Sequence, residues 1–135
     1  MNRRTFLSTS AAASLVPLTA WAGTMNYVPG LVQKELAAGK TVFLDFKASW
    51  CSTCAAQERV IQKLKSANPN YEAKISFVDV DWDQFGNSDL AKSLAIPRRS
   101  TLVVLKGDKE LGRIVAGTGE AEIKKLMDTA LSAAS

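Results

Sequence analysis

Two runs, Thr41-Val42-Phe43-Leu44-Asp45-Phe46-Lys47 and Thr101-Leu102-Val103-Val104-Leu105-Lys106, are apolar almost without interruption. A strand with one wet face alternates apolar and polar residues. A strand that is apolar on both sides has to be covered on both. These two runs therefore predict inner strands of a sheet with helices on each face, an α/β architecture. The surrounding pattern agrees. After an irregular lead-in over 23–30, residues 31–38 form a short helix, with Leu31, Val32, Glu35 and Leu36 at helical spacing and Gly39 as its stop. Residues 52–66 read as a helix presenting Val60, Ile61 and Leu64, ended by Asn68-Pro69-Asn70. Residues 75–81 alternate as a strand, 82–88 read as a loop, and 89–94 as a short helix. Gly107-Asp108-Lys109 is a hairpin turn into a strand over 111–116. Residues 120–133 close the domain as an amphipathic helix facing inward with Ile123, Leu126, Met127, Ala130 and Leu131.

The N-terminus reads as an address. Arg3-Arg4-Thr5-Phe6-Leu7 precedes a modestly apolar stretch that ends in Ala20-Trp21-Ala22, an A-x-A cleavage pattern. The stretch is short for a membrane span and is interrupted by Pro17. We expect residues 1–22 to be a signal peptide cleaved after Ala22, with a single domain over 23–135. The paired arginines look like a twin-arginine export signal of bacteria, with general secretion as the other route. Either route delivers the chain to the periplasm, where disulfides are allowed. The chain has 17 Lys+Arg against 13 Asp+Glu. Losing Arg3 and Arg4 would leave a formal charge of +2, no footprint of a nucleic-acid-binding protein. There is no histidine, which excludes Ser-His or Cys-His nucleophile pairs and His-ligated metal.

The only two cysteines stand in Trp50-Cys51-Ser52-Thr53-Cys54, between the first buried strand and the helix after it. A thiol at a helix N-terminus faces unpaired N–H groups and the positive end of the helix dipole, and both favour the reactive thiolate. A second thiol one turn on suits reversible dithiol–disulfide exchange. A purely stabilising disulfide is a poor account, because so short a loop removes little chain entropy. Asp79, Asp81 and Asp83 suggest a calcium loop, but the required glycine is absent (position 84 is Gln) and the twelfth position is Leu90, so a strand end and loop is the better reading.

Over residues 31–133 the chain resembles the thioredoxin family, on the strand ending in Asp45, then Phe46-Lys47-Ala48-Ser49, Trp50 and the C-x-x-C. The resemblance implies a three-layer sandwich, with a mixed central sheet, a C-terminal β-hairpin and a terminal helix. It also implies the roles. Cys51 is the exposed nucleophile, Cys54 the buried resolving thiol, and Asp45 the buried acid that accepts or returns the Cys54 proton. Together Cys51 and Cys54 form the redox disulfide. Burial in an apolar strand should raise the Asp45 pKa toward neutrality; a merely satisfied structural acid is the alternative. Where the family often has a lysine near this acid, the aligned position is Phe77, which should raise it further. Trp50 covers the site or packs in the core.

The family also places a cis-proline opposite the cysteines. Aligned without gaps through the following strand, that slot falls on Ser100, with a trans peptide before it. The alternative makes Ile96-Pro97 the cis bond and Arg98-Arg99-Ser100 an insertion. Arg98 and Arg99 border the site, either as a solvated basic loop or as groups that favour the thiolate and steer an acidic partner. Partner binding is assigned to Trp50, Arg99, Ser100 and Thr101.

The function expected is a protein thiol-disulfide oxidoreductase without cofactor or resident metal. Ser-Thr between the cysteines matches neither the Gly-Pro of reducing thioredoxins nor the Pro-His of strong oxidants. The minimal domain and missing histidine favour a reductant, a monomer fed by a membrane thiol-electron transporter and acting on protein disulfides. A disulfide-forming or isomerising enzyme is the alternative. A soft-metal-binding module is another, although one C-x-x-C supplies half a four-thiolate site.

Overall fold

Strand β2 (Thr41–Lys47) is buried from Thr41 to Phe46, and β4 (Thr101–Lys106) from Thr101 to Leu105. They lie side by side, antiparallel, in the middle of a sheet. The computed structural model describes residues 23–134; the expected signal peptide and its cleavage point lie outside them. In chain order the remaining elements are β1 (Met25–Asn26), α1 (Leu31–Ala37), α2 (Ser52–Ala67), α3 (Asn70–Lys74), β3 (Ile75–Asp81), α4 (Trp82–Phe85), α5 (Asp89–Ser93), β5 (Lys109–Val115) and α6 (Glu120–Ala134). Strand order is β1-β3-β2-β4-β5. β1, β3 and β2 run parallel, β4 runs antiparallel to β2 and β5 antiparallel to β4, the mixed sheet expected. Among the described residues no helix is long and apolar enough to cross a membrane.

Alternation along the inner strands separates two cores. Val42, Leu44, Phe46, Val78, Val80, Val103 and Leu105 pack with Val32 of α1 and Ala91 of α5. Phe43, Phe77, Leu102 and Val104 face Ile61 and Leu64 of α2 and Ile123, Leu126 and Met127 of α6. Because side chains alternate across a strand, Asp45 and Lys47 project to the same face as Phe43, beneath α2.

Three short elements depart from the sequence reading. Asn68-Pro69-Asn70 ends α2 as expected, but Pro69, at φ −62°, also starts α3. Proline is pre-set for a first helical turn and lacks a donor that would be wasted there. The turn is retained because Tyr71 is buried and its hydroxyl donates to Asp128 of α6. Within the expected loop, the Asp81 carboxylate accepts from the Asp83 N–H at 3.0 Å and caps α4. The lead-in pairs Met25 and Asn26 with β3. The hairpin turns where Gly107 takes φ +60°, and β5 begins at Lys109, earlier than expected.

Candidate active site

The site lies where β2 ends and α2 begins. Cys51 is the N-cap of α2, and its sulfur accepts the Cys54 N–H at 3.1 Å. The two cysteines are joined as a disulfide with Cα atoms 5.2 Å apart. Cys51 is 5% exposed and Cys54 1%. The expected exposed nucleophile is thus almost covered in the oxidised state, because Ala48, Trp82 and the opposite loop close around the pair.

That loop brings Ser100 to the sulfurs. Its Oγ lies 3.1 Å from Cys51 Sγ and 3.2 Å from Cys54 Sγ. No cis peptide occurs among the described residues, Ile96-Pro97 included. The trans alignment that puts Ser100 opposite the cysteines therefore describes the chain. Ser100 holds φ +64°, a left-handed conformation that costs a non-glycine residue about 1–2 kcal/mol. Three bonds hold it there. Its N–H donates to Phe46 O at 2.7 Å, and its carbonyl accepts from Ala116 N–H at 2.8 Å and Gln57 Nε2 at 3.0 Å. Gln57, fully buried one turn beyond Cys54, also donates to Gly117 O at 2.9 Å. Thr101, expected at the partner surface, is buried; its hydroxyl donates to Arg98 O at 2.6 Å and braces the loop from inside.

Trp50 is 59% exposed, so it is not a core residue. Its indole N–H donates to the Asp83 carboxylate at 3.0 Å, and the Arg99 guanidinium stacks 4.6 Å from its ring. The Arg98 Nε–H donates to the Arg99 carbonyl at 3.0 Å. These arginines border the site through Trp50 and the loop backbone.

Beneath the cysteines Asp45 is 4% exposed, and its Oδ1 has no hydrogen-bond partner. Burial pushes its pKa up to about 7; Lys47, with Nζ 3.8 Å away, opposes the rise, while Asp79 and Glu58 reinforce it. A cavity of about 10 Å³ adjoins it, lined by Glu58, Lys65, Phe77 and Asp79 among others, room for about one water. Burial would raise Glu58, but hydrogen bonds from Lys47 (2.7 Å) and Gln62 (2.7 Å) hold its carboxyl below the usual value. Asp79 is raised, chiefly by burial. Burial would lower the Lys47 pKa, but its bond to Glu58 and the carboxylates of Asp45 and Asp79 raise it. The carboxylates of Asp45, Glu58 and Asp79 lie within 4.8 Å of one another and have the donor set of a cation site. The Lys47 ammonium already stands among them.

A thioredoxin family model matches residues 28–129. The chain belongs to the thioredoxin family. Thioredoxin H2-1 of Oryza sativa is 31% identical over 96 residues, 71% of this chain and 64% of that one. Thioredoxin-1 of Saccharomyces cerevisiae is 31% identical over 90 residues, 67% of this chain and 81% of that one. The matches span somewhat under two thirds of the rice protein and of the mitochondrial thioredoxin-2 of Schizosaccharomyces pombe. Among solved structures, Trxlp from Edwardsiella tarda superposes with a TM-score of 0.66 at 24% identity, covering 77% of this chain and 98% of that one. A Malassezia sympodialis thioredoxin does so at 0.62 and 21%, covering 90% and 99%. These two share the fold.

On this thioredoxin scaffold the buried acid has lost less positive charge than Phe77 suggested. Phe77 packs on Phe43 with ring centroids 5.1 Å apart, and the charge comes from elsewhere. Lys47 approaches from β2, and the Lys65 ammonium of α2 sits 4.1 Å over the Phe77 ring. Both lower the Asp45 pKa. The sequence reading missed Lys47, Glu58, Asp79, Lys65 and Gln57. Lys47 alone carried a local signal, two residues from Asp45 on one strand face. The three aspartates once weighed for calcium have separate partners: Lys47 for Asp79, the α4 N-terminus for Asp81 and Trp50 for Asp83.

Proposed function

We propose that this chain is a protein thiol-disulfide oxidoreductase working through the Cys51–Cys54 couple, acting as a periplasmic reductant. The observation that carries the exchange chemistry is a disulfide at the first turn of α2 above a buried acid whose pKa lies near 7. In the reduced protein the Cys51 thiolate attacks a partner disulfide. An S–S bond forms to Cys51, and the partner's other sulfur leaves as a thiolate and takes a proton. Asp45, whose burial raises its pKa to about 7, accepts the Cys54 proton. The Cys54 thiolate then attacks Cys51, releasing the partner's second sulfur. Two electrons pass to the partner, and the chain is left with its internal disulfide.

The reductant reading rests on the absence of histidine and the Ser-Thr dipeptide. Periplasmic action rests on the Arg3-Arg4 and Ala20-Trp21-Ala22 motifs, and implies a membrane thiol-electron transporter as donor, protein disulfides as substrates and a monomer as the working form. Cys54→Ser expressed in the exporting host should accumulate a Cys51 mixed disulfide with the substrate, identified by mass. The same protein isolated without residues 1–22 would support export. A glutathione titration decides direction: a potential well below about −200 mV fits a reductant, and one near about −120 mV a disulfide-forming enzyme.

A further inference from the structure

We propose that Ser100 is a catalytic residue, its hydroxyl donating a hydrogen bond to whichever of the two sulfurs carries negative charge. The proposal rests on the thiol-exchange reading above and adds to it the group that sets the energy of the charged sulfur. Ser100 Oγ is nearly equidistant from the two sulfurs, at 3.1 and 3.2 Å. It is fully buried, so water does not compete for it, and a donor in a dry site acts more strongly on a charge than one in water. Among the described residues, the other hydrogen-bond donor to either sulfur is the Cys54 N–H on Cys51. The chain has no histidine, and the Arg98 and Arg99 bonds run to backbone and to the Trp50 ring.

The surroundings hold the hydroxyl in place. Ser100 keeps a costly left-handed backbone, and its N–H and carbonyl are tied to β2, to α2 through Gln57 and to the residue after β5. Strain kept by such over-determination marks a functional position. A hydroxyl placed between both sulfurs serves both half-reactions. In the reduced protein it donates to the Cys51 thiolate. When an external thiolate attacks Cys51 of the disulfide, a new S–S bond forms at Cys51. The Cys51–Cys54 bond breaks with its electron pair on Cys54, and the hydroxyl turns to that leaving thiolate.

The sign follows. A bond to a thiolate is stronger than one to a neutral disulfide sulfur. The hydroxyl therefore favours the reduced state, and removing it makes the protein more reducing. Ser100→Ala should slow Cys51 alkylation at pH 7 about tenfold and move the midpoint of its pH–rate profile upward. It should shift the glutathione equilibrium toward the disulfide about tenfold, roughly 30 mV more reducing. Ser100→Gly also lacks the hydroxyl but relieves the backbone strain. It should hold or raise the melting temperature while showing the same two shifts, and it keeps the test open if alanine at this φ unfolds the loop. Wild-type potential and pH profile in Ser100→Gly, or in both variants, would overturn the proposal. A wild-type protein that fails to equilibrate with glutathione would instead overturn the exchange reading itself.

Discussion

The two faces of the central sheet are built from the same three strands, yet they carry different cargo. Toward α1 and α5 the inner strands present Val42, Leu44, Phe46, Val78, Val80, Val103 and Leu105, a layer that is mainly apolar, with the Thr101 hydroxyl at its edge. Toward α2 they present Phe43, Phe77, Leu102 and Val104, but the layer also admits Asp45, and α2 contributes buried Gln57 and Lys65. Burying polar and charged groups is costly unless they are paired. Asp45 Oδ1 and Gln57 Oε1 lack partners. One face supplies stability, and the other spends part of it to hold an acid, a clamp and a strained serine beside two sulfurs.

Substitutions can break this contrast. Leu44→Ala, on the apolar face, should cost about 3 kcal/mol in denaturant unfolding while leaving the glutathione equilibrium unchanged. A shifted potential would show that the faces are not independent. Asp45→Asn should do the reverse, adding about 2 kcal/mol of stability at pH 8 while slowing release of a trapped partner. The sign comes from proton binding. Between the unfolded value near 4 and the native value of about 7, the folded protein binds the proton more tightly. The contribution of Asp45 to stability is therefore greatest below pH 4 and is lost as pH rises through about 7. The gain in Asp45→Asn should vanish toward pH 4, and a gain of equal size at pH 4 and pH 8 would point away from Asp45 ionisation.

Gln57→Leu removes the donors to Ser100 O and Gly117 O. It should cost about 1 kcal/mol and broaden the Ser100 loop signals in NMR, with Leu44→Ala as a control that does not. The smallest effect is expected at the rim. Arg99→Ala loses a partly exposed stack on Trp50, worth below about 1 kcal/mol. Its measurable consequence is a slower association rate with acidic protein substrates at low salt.

How far the sequence could be read depended on distance along the chain. The inner strands, the helix after Cys51 and the closing helix follow from periodicity over a few residues. The position of the cysteines at a helix N-terminus follows from the same stretch. The short α3 and α4 did not, because a proline and an aspartate that end one element also start the next. Phe77 stands where the family lysine aligns, and part of the positive charge comes instead from Lys47, legible two residues from Asp45, and from Lys65, which was not legible because it reaches the site from the far end of α2.

The sequence by itself determined the strand, the C-x-x-C and the helix that carries them, because backbone propensity and side-chain alternation act over neighbouring residues. Only the tertiary structure decided which charged groups surround the buried acid and how the loop opposite the sulfurs is held. Asp79 meets Asp45 through β2–β3 register, and Glu58 meets Lys47 through the packing of α2 on the sheet. Ser100 meets Cys54 across 46 residues of chain, an encounter implied by the family resemblance and not by residue order itself. Such encounters are set by how crossovers and layers close in space, and residue order carries no local trace of them.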